Sequence, residues 1–133
     1  MDNYPSEQVK GNKTNIDQAK ALLAQAGYPN GKNFPVLDFY VNALEGSSAH
    51  KMSVAIAEQI KQGLNIDLKI KLCSLEERDQ AITAGKAKIW RSGWVADYPD
   101  PENFLSLFYG GNLTEASSAI NTFRFKNAEF DVL

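Results

Sequence analysis

Cysteine and histidine are nearly absent: the 133 residues hold one of each. Cys73 has no second thiol, so it can form neither an internal disulfide nor a two-thiol redox or zinc motif. It reads as a buried thiol at a strand end. His50 falls near a helix start with no other ligating side chains at metal-binding spacing, and reads as structural or exposed. No metal or other cofactor is therefore expected. Long apolar runs are missing too, and nothing approaches the roughly 18 residues a membrane-spanning helix needs. There is no basic excess. Fourteen Lys and Arg stand against 16 Asp and Glu, a net charge of −2, which argues against nucleic acid or an anionic membrane as partner. The opening MDNYPSEQVKGNKTN lacks the basic start and apolar core of a secretion signal. No Gly-rich phosphate loop occurs, and GGN at 110–112 reads as a helix stop. Internal repeats and low-complexity tracts are likewise missing.

What is present is an alternation of periods. Residues 1–14 are polar and aperiodic and read as a mobile lead-in; residues 15–133 read as one α/β domain. TNIDQAKALLAQAG has a helical apolar stripe of Ile16, Ala19, Leu22, Leu23 and Ala26. Thr14 or Asn15 can cap it, and Gly27 can stop it. VLDFYVN (36–42) is rich in strand formers. A helix follows over 49–62, with Met52, Ile56 and Ile60 as its inward stripe and Gly63 as its end. IDLKIKL (66–72) alternates apolar and charged residues, as an edge strand with one wet face does. SLEERDQAITAG opens with Ser74 and Glu77 at capping-box spacing and closes at Gly85. AKIWRSG (87–93) reads as a third strand, and Pro101 to about Tyr109 as a last helix. Residues 121–126 read as a short extended segment. This order predicts a mostly parallel sheet flanked by helices.

The chemistry concentrates in SGWVADYPDPENFL (92–105). Asp100 precedes Pro101, a residue favoured at the first helical position because no N–H is needed there. Glu102 follows in the first turn, so Asp100 reads as the N-cap. Asp97 has no such task. It follows the third strand, and ligands of open parallel sheets bind beyond the carboxyl ends of strands where the strand order reverses. If strand 36–42 is central, Asp97 stands beside that point. A carboxylate flanked by Trp94 and Tyr98 suits a cationic group. An Asp bonding only its own turn is the other reading, and the residues alone leave both open. Trp90, within the strand, reads as core; Trp94, at its end, reads as a pocket wall. Asp97, Asp100 and Glu102 do not make a catalytic set, since two of them have helix-start roles and no nucleophile–base pair accompanies them.

These residues resemble the extracytoplasmic solute-binding proteins of family 5, the oligopeptide- and dipeptide-binding components of ABC importers. The GW-x-ADY-x-DP element carries the resemblance. DQAKALLAQAGYPNG, HKMSVAIAEQIKQGLNIDLKI and FKNAEFDVL support it. The resemblance implies one lobe of a periplasmic-binding-protein type II-like fold, within a protein several times longer whose two lobes close on ligand. This chain would be most of the carboxyl-side lobe, monomeric as a piece and non-enzymatic. It implies a periplasmic or extracytoplasmic location, with lipid anchoring as one variant, and transmembrane ABC permease subunits as partners. It also implies that Asp97 pairs with the free α-amino group of a peptide, while Trp94, Val95 and Ala96 run beside the peptide and Tyr98 flanks it. Nickel complexes, other amines or sugars are the alternative ligands, and a sensory module with the same lobe is the alternative role. One departure stands out: Ala87-Lys88 occupies a place where the family often has an aromatic–Asp pair.

Overall fold

The computed structural model describes residue 11, residues 13–113 and residues 120–132. The lead-in expected over 1–14 lies largely outside the described residues. The first helix, α1 (Ile16–Gln25), begins where Asn15 accepts a hydrogen bond from the Gln18 N–H at 3.0 Å. It ends before Gly27, whose φ of +93° suits a residue without a side chain. A 3₁₀ turn at Pro29–Gly31 leads toward β1 (Leu37–Asn42). Gly31 is buried with φ +70°, and a Cβ there would meet the Leu64 carbonyl oxygen at 2.5 Å. Only glycine allows this approach of two backbones.

The next helix, α2 (Ser48–Leu64), is capped by Ser47 and differs from expectation in two ways. It runs through Gly63 and ends at Asn65, which takes the left-handed conformation at φ +57°. Gly63 instead lies against α1, with the position of its missing Cβ 3.2 Å from Ile16 Cδ1. The inward stripe also differs from Met52, Ile56 and Ile60. Ser53 is fully buried, followed along the same face by half-buried Ala57, Ile60 and Leu64, whereas Met52 and Ile56 are exposed. Small Ser53 fits because its hydroxyl turns back to the Ala49 carbonyl at 2.9 Å.

Strand β2 (Leu68–Cys73) follows. The capping box then forms as expected and starts α3 (Leu75–Thr83). Ser74 Oγ accepts from the Glu77 N–H and the Glu77 carboxylate accepts from the Ser74 N–H. The last strand, β3 (Ile89–Trp90), is far shorter than the expected 87–93. All pairing is parallel and the order is β2-β1-β3, so the first strand in sequence is central. Leu37 to Asn42 pair with Leu68 to Cys73, but only Phe39 and Tyr40 pair with Ile89 and Trp90. Phe39, Tyr40 and Val41 are all buried. A strand turns successive side chains to opposite faces, so the central strand is covered on both. Tyr40 packs with Ala81 and Ile82 of α3 and with Ala87, beside Cys73 and Trp90. Burial raises the Cys73 thiol pKa, as suits an inert structural thiol. His50 accepts the Gly46 N–H at 3.0 Å, a structural task.

Candidate functional site

Because every strand runs the same way, Asn42, Cys73 and Trp90 end at one edge of the sheet. The Asn42 amide donates to the Cys73 carbonyl at 3.2 Å and ties two of these ends together. From β1 the chain crosses to β2 on one side; from β2 it returns past β1 to β3 on the other. Strand order therefore reverses at β1, and the segment leaving β3 stands at the reversal. The Arg91 N–H still donates to the Tyr40 carbonyl at 2.9 Å. Beyond it, residues 92–96 leave the ladder as largely exposed chain.

The segment is anchored from behind by α4 (Glu102–Leu105). This helix is shorter than the expected 101–109 because the bonding tightens into turns after Leu105. Its start follows expectation. Pro101 is already helical at φ −56°, and Asp100 Oδ1 accepts the Glu102 N–H at 2.8 Å. Asp100 is thus committed to the cap. Glu102 is committed to the Tyr98 hydroxyl, which donates to its carboxylate. That bond holds the Tyr98 phenol above its ordinary pKa, because deprotonation would set two anions together; the Asn103 side chain opposes it.

Asp97 differs from both acids. It is exposed, and among the described residues no hydrogen bond or ion pair engages its carboxylate. Trp94 and Tyr98 flank it, each a little under half exposed, while Val95 is 86% exposed and Ala96 half-buried. The predicted site residues thus lie on one segment at one sheet edge.

Beside this segment lies a cleft of about 520 Å³, lined among others by Arg78, Ile82, Trp90, Trp94, Phe108 and Phe123. Asp97 does not line it. Trp94 does, as a pocket wall. Trp90 is half-buried and stacks on Phe123 at 5.6 Å, and Phe123 stacks on Phe108 at 5.2 Å. Arg78, at the cleft, bonds Asp79 through Nε and Nη2 at 2.9 and 2.8 Å and the Arg91 carbonyl through Nη1 at 3.3 Å.

Three residues that organise this region carry no motif. Arg78 is one. Asn121, 1% exposed, is another. Its amide donates to the Tyr109 and Phe125 carbonyls and its oxygen accepts the Phe125 N–H. These bonds make 121–126 a turn, not the expected extended segment, with Arg124 at φ +53°. The third is Asn103, 3% exposed on α4. A polar amide next to the apolar pair Phe104 and Leu105 is the only sequence signal that could have marked it.

Residues 1–115 match the bacterial extracellular solute-binding proteins, family 5 Middle. The chain belongs to solute-binding family 5. Among relatives, the periplasmic murein peptide-binding protein MppA of Escherichia coli is 32% identical over 127 residues, covering 96% of this chain and 22% of MppA. Heme-binding protein A of Haemophilus influenzae is 32% identical over 119 residues, covering 88% of this chain and 21% of that protein. Among solved structures, the periplasmic oligopeptide-binding protein OppAIV of Borrelia burgdorferi superposes with a TM-score of 0.73 at 33% identity, over 94% of this chain and 24% of that one. This family 5 chain therefore spans about a fifth to a quarter of the length of the relatives it matches. Its parallel sheet flanked by helices is of the periplasmic-binding-protein type II-like class.

Proposed function

We propose that this family 5 chain is most of one lobe, the carboxyl-side one, of a peptide-binding component of an ABC importer, and that Asp97 captures the free α-amino group of the peptide. One observation carries the reading. Of the acids in 97–102, Asp100 and Glu102 are spent on the fold, while the Asp97 carboxylate faces solvent without a partner among the described residues. An ammonium group brought to it and shielded by Trp94 and Tyr98 meets a fixed opposite charge in a partly dehydrated place. The unpaired backbone of Trp94, Val95 and Ala96 offers hydrogen bonds to an extended ligand, a mode that reads main chain and tolerates varied side chains. The similarity to MppA and OppAIV, a murein peptide-binding and an oligopeptide-binding protein, supports the ligand class. It also supports a periplasmic location and membrane permease partners. The chain binds and does not catalyse: the acids beside Asp97 are used structurally, and family 5 is a family of solute-binding proteins.

The test compares Asp97→Asn with Asp100→Asn in the complete gene product containing these residues. Asp97→Asn lowers affinity for a free-amino peptide by more than about tenfold, since it leaves the ligand's ammonium unpaired. Asp100→Asn lowers stability and leaves affinity nearly unchanged. Equal affinity losses with unchanged stability in both refute this division. Native mass spectrometry identifies the ligand: a ladder of peptide masses supports the reading, and a single non-peptide mass overturns it. Heme is the specific alternative, favoured by the similarity to Heme-binding protein A.

A further inference from the structure

The Asn103 side chain sits behind the ligand-facing segment and touches it at separate points. Its Oδ1 accepts the Trp94 indole N–H at 2.7 Å and, at a longer 3.4 Å, the Asp97 backbone N–H. One buried oxygen thus fixes the ring at one end of the WVAD tetrapeptide and the backbone at the other. The Asn103 carbonyl in turn accepts the Ser106 hydroxyl at 3.0 Å, and the Asn103 N–H donates to the Asp100 carbonyl at 3.1 Å, so the residue is itself held within α4. Nothing else described among residues 98–113 bonds to Trp94 or Asp97. Between the Arg91–Tyr40 bond and the Asp100 cap, the Tyr98–Glu102 bond is the other side-chain tether among the described residues, and it lies beyond Asp97; within residues 92–97 this oxygen is the tether.

We infer that Asn103 is a positioning residue for ligand binding: it presents the Asp97 carboxylate and the Trp94 ring in one fixed geometry without touching the ligand. The inference rests on the amine-capture reading above. A polar side chain buried in a helix is disfavoured unless its bonds are used. Here the bonds go to the two residues on which binding was placed, not to the core. A tether of this kind acts by cutting the ordering that binding must otherwise supply.

The experiment measures affinity for a free-amino tetrapeptide and for its N-acetylated twin, by calorimetry on the complete gene product. The ratio of the two affinities reads amine capture alone. Asn103→Ala reduces that ratio by about tenfold, the loss expected when orienting hydrogen bonds to a binding group go. Asn103→Asp keeps the accepting oxygen and retains at least most of the ratio. The Trp94 indole N–H resonance shifts in Asn103→Ala and stays near its original position in Asn103→Asp, a readout that requires only folded protein. In Asp97→Asn the ratio collapses, and adding Asn103→Ala lowers it no further. A ratio lost in Asp97→Asn but kept in a folded Asn103→Ala protein overturns this inference alone. So does a folded Asn103→Asp protein that loses as much as the alanine variant. A ratio kept in Asp97→Asn overturns the amine-capture reading, and this inference with it.

Discussion

Replacing Asn121 by alanine removes three hydrogen bonds at once from a place with almost no solvent. Its amide bonds the Tyr109 carbonyl at 3.1 Å and the Phe125 carbonyl at 2.7 Å, and its oxygen holds the Phe125 N–H at 3.2 Å. Each is a backbone group with a strong requirement for a partner. A net hydrogen bond contributes about 1 kcal/mol, so the variant is expected to lose roughly 3 kcal/mol of stability. The lost side-chain volume adds to this if the site does not collapse. Urea unfolding measures the loss as a shifted midpoint at constant slope. Asn121→Asp sharpens the test. It keeps an oxygen for the Phe125 N–H but turns a carboxylate toward two carbonyl oxygens, which raises its folded pKa. Its deficit is then smallest below the ordinary carboxylate range and grows as pH rises through the folded pKa. A loss under about 0.5 kcal/mol for Asn121→Ala, within the range of ordinary surface changes, would refute the reasoning and mean that water satisfies the turn.

Gly31→Ala sets a Cβ 2.5 Å from one carbonyl oxygen and 2.7 Å from another, both backbone, at positive φ; a loss of at least about 2 kcal/mol in thermal unfolding is expected. Ser74→Ala removes a helix cap and costs about 1 kcal/mol by the same assay. The Ser74 N–H also holds the Glu77 carboxyl below its ordinary 4.5. The contribution of Glu77 is therefore full above about pH 4.5 and disappears as pH falls through the lower folded value, so Glu77→Gln flattens the acid limb of the stability–pH curve. Ultraviolet titration finds Tyr98 ionising above the ordinary 10.0, and Glu102→Gln moves it back down; no change in that variant contradicts the Tyr98–Glu102 bond.

Features decided by neighbours in sequence were legible in advance. The capping box at Ser74 and Glu77, the Asn15 and Asp100 caps and the alternation in β2 each depend on residues a few positions apart. The helix–strand rhythm leaves open which strand is central; it is β1. Features decided by distant partners were not. AKIWRSG has strand-forming residues along its length, but β1 offers it only two paired positions before the chain departs. Gly63 looks like a helix stop locally, yet α1 lies against it and Asn65 takes the left-handed turn instead. The face of α2 takes in Ile60 as expected but leaves Met52 and Ile56 outside, because its innermost residue is a serine, which no hydrophobic pattern marks. For the candidate site, the division between Asp97 and Asp100 was visible because capping is local. Asn103 was not, because its work is done nine residues back along the chain, at Trp94.

The central position of β1 also sets a schedule for synthesis. The strand made first is the one with two neighbours, and both arrive later. About 50 residues separate Asn42 from Trp90, roughly 2–10 s of translation at 5–20 residues per second. Until β2 emerges Phe39, Tyr40 and Val41 form a consecutive greasy tripeptide with both hydrogen-bonding edges open on a nascent chain, and the edge that β3 takes stays open to the end of that interval. Such a segment is what holding chaperones grip, and on a growing polypeptide it is where their occupancy should peak until the last strand emerges.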